Sequence, residues 1–320
     1  MKRLIFVLLL CACAGVTKGQ EKDSLLVMFW NVENFFDWKD GGTGESDREF
    51  SSFGQRRWTK KRFYAKCDAV AKSIIWIGDK YGRLPDLIAL SEVENREVLD
   101  KMISYTLLRK YDYAVVHQDS PDRRGIDVAL LYRRSSMSLL SKSFVCPVYQ
   151  EKRMSTRDIL QAGFILENGS IINCLVNHHP SKFGGEKESE GRRAAAMTAL
   201  RNMCDSLGNK SLIVMGDFND TPDGSQFDIV DDILINKGKP LHEIHHGTIR
   251  YKGKWELIDF FLTSDDVDCS EMEVVRIPFL TVYDKRYPGE KPLRTYSGPR
   301  YIGGVSDHCP IVIKINLLYR

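Results

Sequence analysis

Leu212-Ile213-Val214-Met215-Gly216-Asp217-Phe218-Asn219 and Ser306-Asp307-His308-Cys309-Pro310-Ile311-Val312-Ile313 follow one plan in opposite order. In the first, an apolar tetrad runs directly into Asp217 and Asn219. In the second, Asp307 and His308 run into an apolar stretch. Consecutive apolar residues over this length predict a strand buried on both faces. A charged group at the strand's very end predicts a site built at strand tips. Carboxylate, amide and imidazole gathered there can hold a hard metal ion and move protons on a phosphate ester.

The same junction recurs along the chain. An apolar run over 25–30 gives way to Asn31, Leu87-Ile88-Ala89-Leu90 ends at Ser91-Glu92, and a run over 171–176 ends at Asn177-His178. Further strands are predicted over 113–116, 128–132, 144–148, 160–166, 257–262, 272–277 and 309–315. Helical spacing over 59–78 puts Phe63, Cys67, Val70, Ile74 and Ile77 on one face. Two more helices are predicted over 98–110 and 188–207, and a Gly-, Ser- and Asp-rich loop over 40–53. Strands interleave with helices and no repeat or linker divides the chain. The pattern predicts one α/β domain over 22–320.

Lys2 and Arg3 precede an apolar run over 4–10, which reads as an export signal within 1–20. Ala12-Cys13-Ala14 fits a small-x-small cleavage site. Leu10-Cys11-Ala12-Cys13 also resembles a bacterial lipoprotein box with Cys13 as the lipidated residue. The expectation is an exported protein: periplasmic, extracellular, or an outer-membrane lipoprotein anchored at Cys13. The run is too short to span a bilayer, and no later segment is long enough, so no transmembrane segment is expected.

Of the 320 residues, 43% are hydrophobic and 28% charged, ordinary for a globular protein with a sizeable core. Loss of Lys2 and Arg3 leaves 44 basic residues against 43 acidic, so the mature chain is nearly neutral. A bulk basic excess of the kind that grips many DNA phosphates is absent. Local basic clusters remain: Arg56-Arg57 and Lys60-Lys61-Arg62 around Trp58, Arg123-Arg124, and Arg192-Arg193. Each reads as solvated surface. Six cysteines beyond the signal are scattered without C-x-x-C spacing, which excludes a zinc ribbon. His242, His245 and His246 read as a loop cluster without a fourth ligand.

Seven segments together resemble the endonuclease/exonuclease/phosphatase superfamily, with its deoxyribonuclease I-like fold. They are residues 30–37 (Trp-Asn-Val-Glu-Asn-Phe-Phe-Asp), 90–95, 124–130, 177–181, Gly216-Asp217-Phe218-Asn219, Ile258-Asp259 and Ser306-Asp307-His308. The resemblance implies a four-layer α/β sandwich, two packed mixed β-sheets flanked by helices, with the site on one rim. It implies Glu92 as the principal metal carboxylate, Asn31 beside it as a ligand or supporting amide, and Asp307 as a second acidic group. His308 would contact the scissile phosphate and Asp259 would orient it. Asp217 and Asn219 would position or deprotonate the attacking water. His178 is similar to a second active-site histidine, a phosphate ligand or leaving-group acid, with Asp127 as its pairing partner. Arg157 would contact phosphate. Glu33 and Glu94 would shape the site. A donor set without cysteine favours Mg²⁺, with Mn²⁺ or Ca²⁺ as alternatives, over zinc.

Departures from the superfamily's better-known branches narrow the substrate. The Gly216–Thr221 and Lys254–Asp259 stretches lack the signatures of inositol-polyphosphate 5-phosphatases. Ser91-Glu92-Val93-Glu94 stands where abasic-site repair nucleases carry Gln-Glu-x-Lys. Residues 247–255 and 177–185 look more like exported bacterial members. The expectation is a secreted, Mg²⁺-dependent phosphodiesterase, most simply a monomeric nuclease acting on extracellular nucleic acid. One alternative is a phosphatase or phosphodiesterase for a phospholipid headgroup or small ester. Another is a surface binding protein that kept the fold and lost turnover.

Overall fold

A computed structural model describes residues 24–42, 44–182 and 185–317. The signal segment 1–20 and Cys13 lie outside the described residues. Twelve strands form two six-stranded sheets. The first takes β1 (Ser24–Phe35), β2 (Leu87–Val93), β3 (Tyr113–His117) and β4 (Asp127–Arg133). The second takes β5 (Met137–Val145), β6 (Ile159–Leu166), β7 (Ile171–His178), β8 (Leu212–Asp217), β9 (Ile235–Asn236) and β10 (Asp259–Thr263). β11 (Glu273–Val274) and β12 (Ile311–Asn316) then return to the first sheet. Strand order is β11-β12-β1-β2-β4-β3 in one sheet and β9-β10-β8-β7-β6-β5 in the other. This is the expected α/β sandwich of two mixed sheets with helices outside.

Each sheet holds one parallel pair, β1 with β2 and β7 with β8, and is otherwise antiparallel. These paired strands are apolar throughout because both of their faces are covered. On β1, Leu25, Val27 and Phe29 face the second sheet, among Leu175, Ile213 and Phe261. Leu26, Met28 and Trp30 face the helices instead, packing with Phe63, Val70 and Ile74 of α1 (Lys60–Tyr81). Thr59 caps α1 by accepting from the Arg62 N–H, and Gly82 ends it at φ +73, a left-handed conformation glycine adopts without strain.

Some expected boundaries move. The helix expected over 98–110 is α2 (Arg96–Tyr105), capped by Asn95 and followed by a separate 3-10 turn over Leu107–Lys110. Thr106 breaks it, in extended backbone with its Oγ1 donating to the Met102 carbonyl at 2.7 Å. The 40–53 loop contains a short helix, Glu45–Glu49. The strand expected over 144–148 begins earlier, at Met137, and stops at Val145. Only Glu273–Val274 of the 272–277 run pairs as strand. The third helix, α3, spans Glu186–Ser206. All six described cysteines are free thiols. Among the described residues no helix is long and apolar enough to cross a membrane.

Asp86 fixes the register from which β2 starts. Its fully buried carboxylate accepts from the Leu26 N–H at 2.9 Å, Ser136 Oγ at 2.6 Å and Arg83 Nη2 at 2.7 Å. Asp86→Ala is expected to cost about 3–5 kcal/mol, because it strands a buried N–H and removes the buried carboxylate that Arg83 pairs with. Urea unfolding measures it. A midpoint equal to wild type would remove Asp86 from the register argument.

Candidate active site

The C-terminal ends of the two parallel pairs open on the same cleft. Parallel strands present their tips, and the loops that follow, at one edge, where sites form in α/β proteins. Asn31 lies in β1 where its regular pairing with β2 ends, Glu92 is the penultimate residue of β2, His178 ends β7 and Asp217 ends β8. Asp259 opens the antiparallel β10 directly opposite Asp217, and His178 is its partner on the other side. Gly216 allows this approach, since a Cβ there would overlap the Asn177 carbonyl.

Local irregularity aims these side chains. The register of β1 with β2 slips between Asn31 and Phe35, and β2 slips against β4 between Ser91 and Val93. Glu92 sits at φ +61 inside that slip, and Glu33, Asn34 and Asn219 also have positive φ. Left-handed backbone is costly for such residues and gathers where a structure holds functional groups. The bulge turns Glu92 out of the sheet toward the cleft.

Asp217 is the hub. Its Oδ2 accepts from Asn31 Nδ2 at 2.9 Å and its Oδ1 from the Asn219 N–H at 2.9 Å. Two imidazoles face Oδ2 at longer range, His178 Nε2 at 3.6 Å and His308 Nε2 at 3.9 Å. Burial pushes the Asp217 carboxyl up, the Asp259 charge adds to it, and His308, Asn31 and the Asn219 N–H pull back, leaving it at about 7.

His308 is locked in place. Its Nδ1 lies 2.8 Å from Asp259 Oδ2, which also accepts from the Thr248 hydroxyl. Its backbone N–H donates to Ser306 Oγ at 2.9 Å, and its carbonyl accepts from Trp30 Nε1 at 2.9 Å. Burial disfavours the imidazolium, but the charges of Asp259, Asp217 and Asp307 outweigh burial and hold its pKa well above the usual histidine range. His178 is the opposite case. Burial and the Arg157 and Arg124 charges push it well below that range. It is a neutral imidazole, suited to hydrogen bonding and unsuited to acid catalysis at neutral pH.

The acidic residues of the rim meet three cations the motifs do not assign. Arg124 holds Glu92 in a fork, Nη1 to Oε1 at 3.3 Å and Nη2 to Oε2 at 3.2 Å. Burial raises the Glu92 carboxyl, but Arg124, the Asn34 N–H and His308 together bring it down to about 2. Arg294 Nη2 lies 3.0 Å from Asp307 Oδ2 and 2.9 Å from Glu33 Oε1. Lys66 is buried, donates to the Glu33 carbonyl and to Thr295 Oγ1, and feels the charges of Glu33, Glu92 and Asp307. Burial, followed by the Asp307 charge, raises Glu33. Glu33, Glu92 and Asp307 thus share the field of these cations without drawing their oxygens into one tight cluster, and the Asn31 amide oxygen accepts the Glu33 N–H. That donor chemistry fits a hard divalent cation. Asp217, Asp259 and His308 do lie close enough together to hold an ion. Asp259 Oδ1 is buried without a partner, while Asp217 and the other Asp259 oxygen are tied to Asn31, the Asn219 N–H, His308 and Thr248, an arrangement that also suits proton handling.

Arg157 and Asp127 occupy other places than expected. Arg157 is buried, and its guanidinium donates to the His178 carbonyl at 3.1 Å, the His179 carbonyl at 2.6 Å and Asp122 at 3.1 Å. It braces the β7 end from behind. Asp127 pairs with His117 at 3.3 Å and with Ser120, not with His178. Glu94 accepts from the Asp37 N–H at 2.6 Å and lines a neighbouring cleft. Asn219 Nδ2 donates to the His179 carbonyl at 2.9 Å, so its side chain holds the loop while its N–H holds Asp217.

Comparison with known structures places this fold. The human Nocturnin catalytic domain with bound sulfate is 17% identical, with 92% of this chain and 94% of that chain covered at a TM-score of 0.60. TDP2 of D. rerio complexed with single strand DNA product is 14% identical, covering 92% and 99% at 0.56. A mannosyl-6-phosphatase of Bacteroides thetaiotaomicron is 14% identical, covering 91% and 99% at 0.56. At these identities the likeness is one of fold. No curated protein matches the sequence. The sequence model of the Endonuclease/Exonuclease/phosphatase family matches residues 26–317, and the chain belongs to that family.

Proposed function

We propose that the chain is an exported, Mg²⁺-dependent phosphodiester hydrolase whose substrate is nucleic acid. Family membership makes it a phosphoric ester hydrolase of a kind that works with divalent metal. The observation that carries the finer reading is an imidazole beside a buried carboxyl in one cleft, His308 Nε2 lying 3.9 Å from Asp217 Oδ2. His308 is held cationic, while Asp217, raised to about 7, is ionised above neutral pH and can then act as a base.

Glu92, Asp307 and the Asn31 amide would hold the cation, which supplies charge neutralisation on the phosphoryl oxygens. Each Asp217 oxygen keeps an acceptor site beyond its bond to Asn31 or Asn219. Asp217 accepts the proton of the attacking water as the new P–O bond forms in line with the ester bond that breaks. His308, cationic, donates from Nε2 to a non-bridging oxygen and offsets the charge gathering there. Neutral His178 adds a hydrogen bond. The departing alkoxide takes its proton from solvent. A diester suits this arrangement, since one added positive charge at His308 meets one phosphate charge. TDP2 bound to a single strand DNA product shows that this fold accommodates such a ligand in another protein.

The test is a panel of single-stranded DNA, plasmid, RNA, bis-nitrophenyl phosphate, sugar phosphates and sphingomyelin, each with Mg²⁺ and with chelator. Cleavage of nucleic acid with Mg²⁺ alone is expected. Glu92→Gln should raise the Mg²⁺ concentration for half-maximal rate by about tenfold or more. An unchanged titration would remove Glu92 from the ion. Cleavage confined to monoesters would replace the nuclease reading with a phosphatase.

A further inference from the structure

The basic stretch 56–62 reads in the sequence as solvated surface, yet the fold fastens it to the rim of the site. Arg294 and Thr295, which hold Glu33 and Asp307, lead directly into the hairpin Tyr296–Ser297 with Arg300–Tyr301. The Tyr296 hydroxyl donates to the Arg56 carbonyl at 2.9 Å, and Arg56 Nη1 donates back to the Gly298 carbonyl at 2.6 Å. Arg62 Nη1 donates to the carbonyls of Arg56 and Arg57 at 2.9 and 2.8 Å, and its guanidinium lies 4.4 Å over the Tyr301 ring. Buried Trp58 anchors the segment, donating from Nε1 to the Phe36 carbonyl at 2.8 Å. The surface is thus a fixed extension of the Asp307 side of the cleft.

Its outward face is cationic. Arg57, Lys60, Lys61 and Arg300 are exposed, and no carboxylate lies within ion-pair distance of any of them among the described residues. Only Arg56 is paired there, with Glu49 at 2.7 Å. Phe53 stands wholly exposed on the turn that Arg57 closes, where the Arg57 N–H meets the Gly54 carbonyl. On the β3–β4 side of Glu92 a cleft is lined by Asp37, Asp47, Glu94, Asp119, Asp122 and Asp127 together with Lys39, and there Asp37 is paired with Lys39 and Lys101 and Asp122 with Arg157.

We propose that the surface of Phe53, Arg57, Lys60, Lys61 and Arg300 binds the single-stranded nucleic-acid segment that leads away from the scissile phosphate. The proposal rests on the nuclease reading above and adds the strand's path. Unneutralised cations follow a phosphate backbone, and an exposed ring beside them offers a stacking face for an unpaired base. Duplex ends or other polyanions would use the cations alone.

Binding of labelled oligo-dT in chelator, read by fluorescence anisotropy, tests the surface without turnover. Arg57→Ala/Lys60→Ala/Lys61→Ala should weaken binding by about tenfold at low salt and lower the slope of log Kd against log salt by about 2. Phe53→Ala should weaken oligo-dT binding by about tenfold and leave inorganic polyphosphate binding unchanged. Both variants should hydrolyse bis-nitrophenyl phosphate as wild type does. Equal oligo-dT affinity in wild type and triple variant would overturn the proposal. So would loss of binding to phosphatidylglycerol vesicles with oligo-dT affinity unmoved, which would assign the surface to a membrane. If wild type hydrolyses no phosphodiester, the activity proposed above fails, while the anisotropy result still decides the surface.

Discussion

His308→Ala lowers kcat for phosphodiester hydrolysis by about 10³-fold, with the melting temperature close to wild type. The size follows from how completely the imidazole is prepared before substrate arrives. Asp259 fixes Nδ1, Ser306 and Trp30 fix the backbone on either side, and Nε2 is left as the free donor. Three carboxylates, from Asp259, Asp217 and Asp307, keep the ring charged despite its burial. A cation that needs no reorganisation stabilises the charge on the phosphoryl oxygens far better than a solvated one. Thr248 still donates to Asp259 Oδ2 after the deletion, so that oxygen keeps a partner, and the melting temperature reads any cost of the unpartnered Oδ1. Asp259→Asn provides a second reading. It keeps the shape, removes the largest favourable charge on His308, and should lower the alkaline pKa of the rate profile along with kcat. Near-normal turnover in His308→Ala with an intact melt would end the assignment of the phosphate contact.

Much of this site is legible in the sequence because its polar groups sit hard against buried strands. Asn31, His178 and Asp217 each follow an apolar run, and the structure ends β7 at His178 and β8 at Asp217 and breaks the regular β1–β2 pairing at Asn31. The helix face of Phe63, Cys67, Val70, Ile74 and Ile77 is likewise buried as its spacing predicts. Strand β5 is hidden because Leu140 to Ser143 are exposed, so Ser138-Leu139-Leu140-Ser141-Lys142-Ser143 lacks a buried strand's apolar run. The slip that turns Glu92 outward leaves no mark either, since glutamate carries no preference for positive φ. Arg124 lies within a quoted motif, yet nothing local tells that it will grip Glu92. Arg157 shows the limit most clearly. An arginine near a site in sequence can face phosphate or brace the backbone, and only tertiary packing decides between them.

Asp217→Asn carries the second large effect, and its signature is the pH profile. The carboxyl is raised to about 7 by burial first and by the Asp259 charge second. Below that value it is protonated and cannot accept the water's proton; above it the base is available. His308 has the opposite requirement, since it acts as a cation and its raised pKa places the loss of that charge on the alkaline side. The wild-type kcat therefore rises with pH through the neutral range and falls at alkaline pH. A bound divalent cation favours the ionised carboxylate, so more metal moves the acid limb to lower pH. Asp217→Asn lowers kcat by about 10²- to 10⁴-fold and abolishes the acid limb, while the alkaline limb set by His308 remains. A side-chain amide at that position has a single oxygen for the two donors, Asn31 Nδ2 and the Asn219 N–H, so the melting temperature is read beside kcat to separate loss of the base from loosening of the cleft. An acid limb that persists unchanged in Asp217→Asn would transfer the role of base to another group.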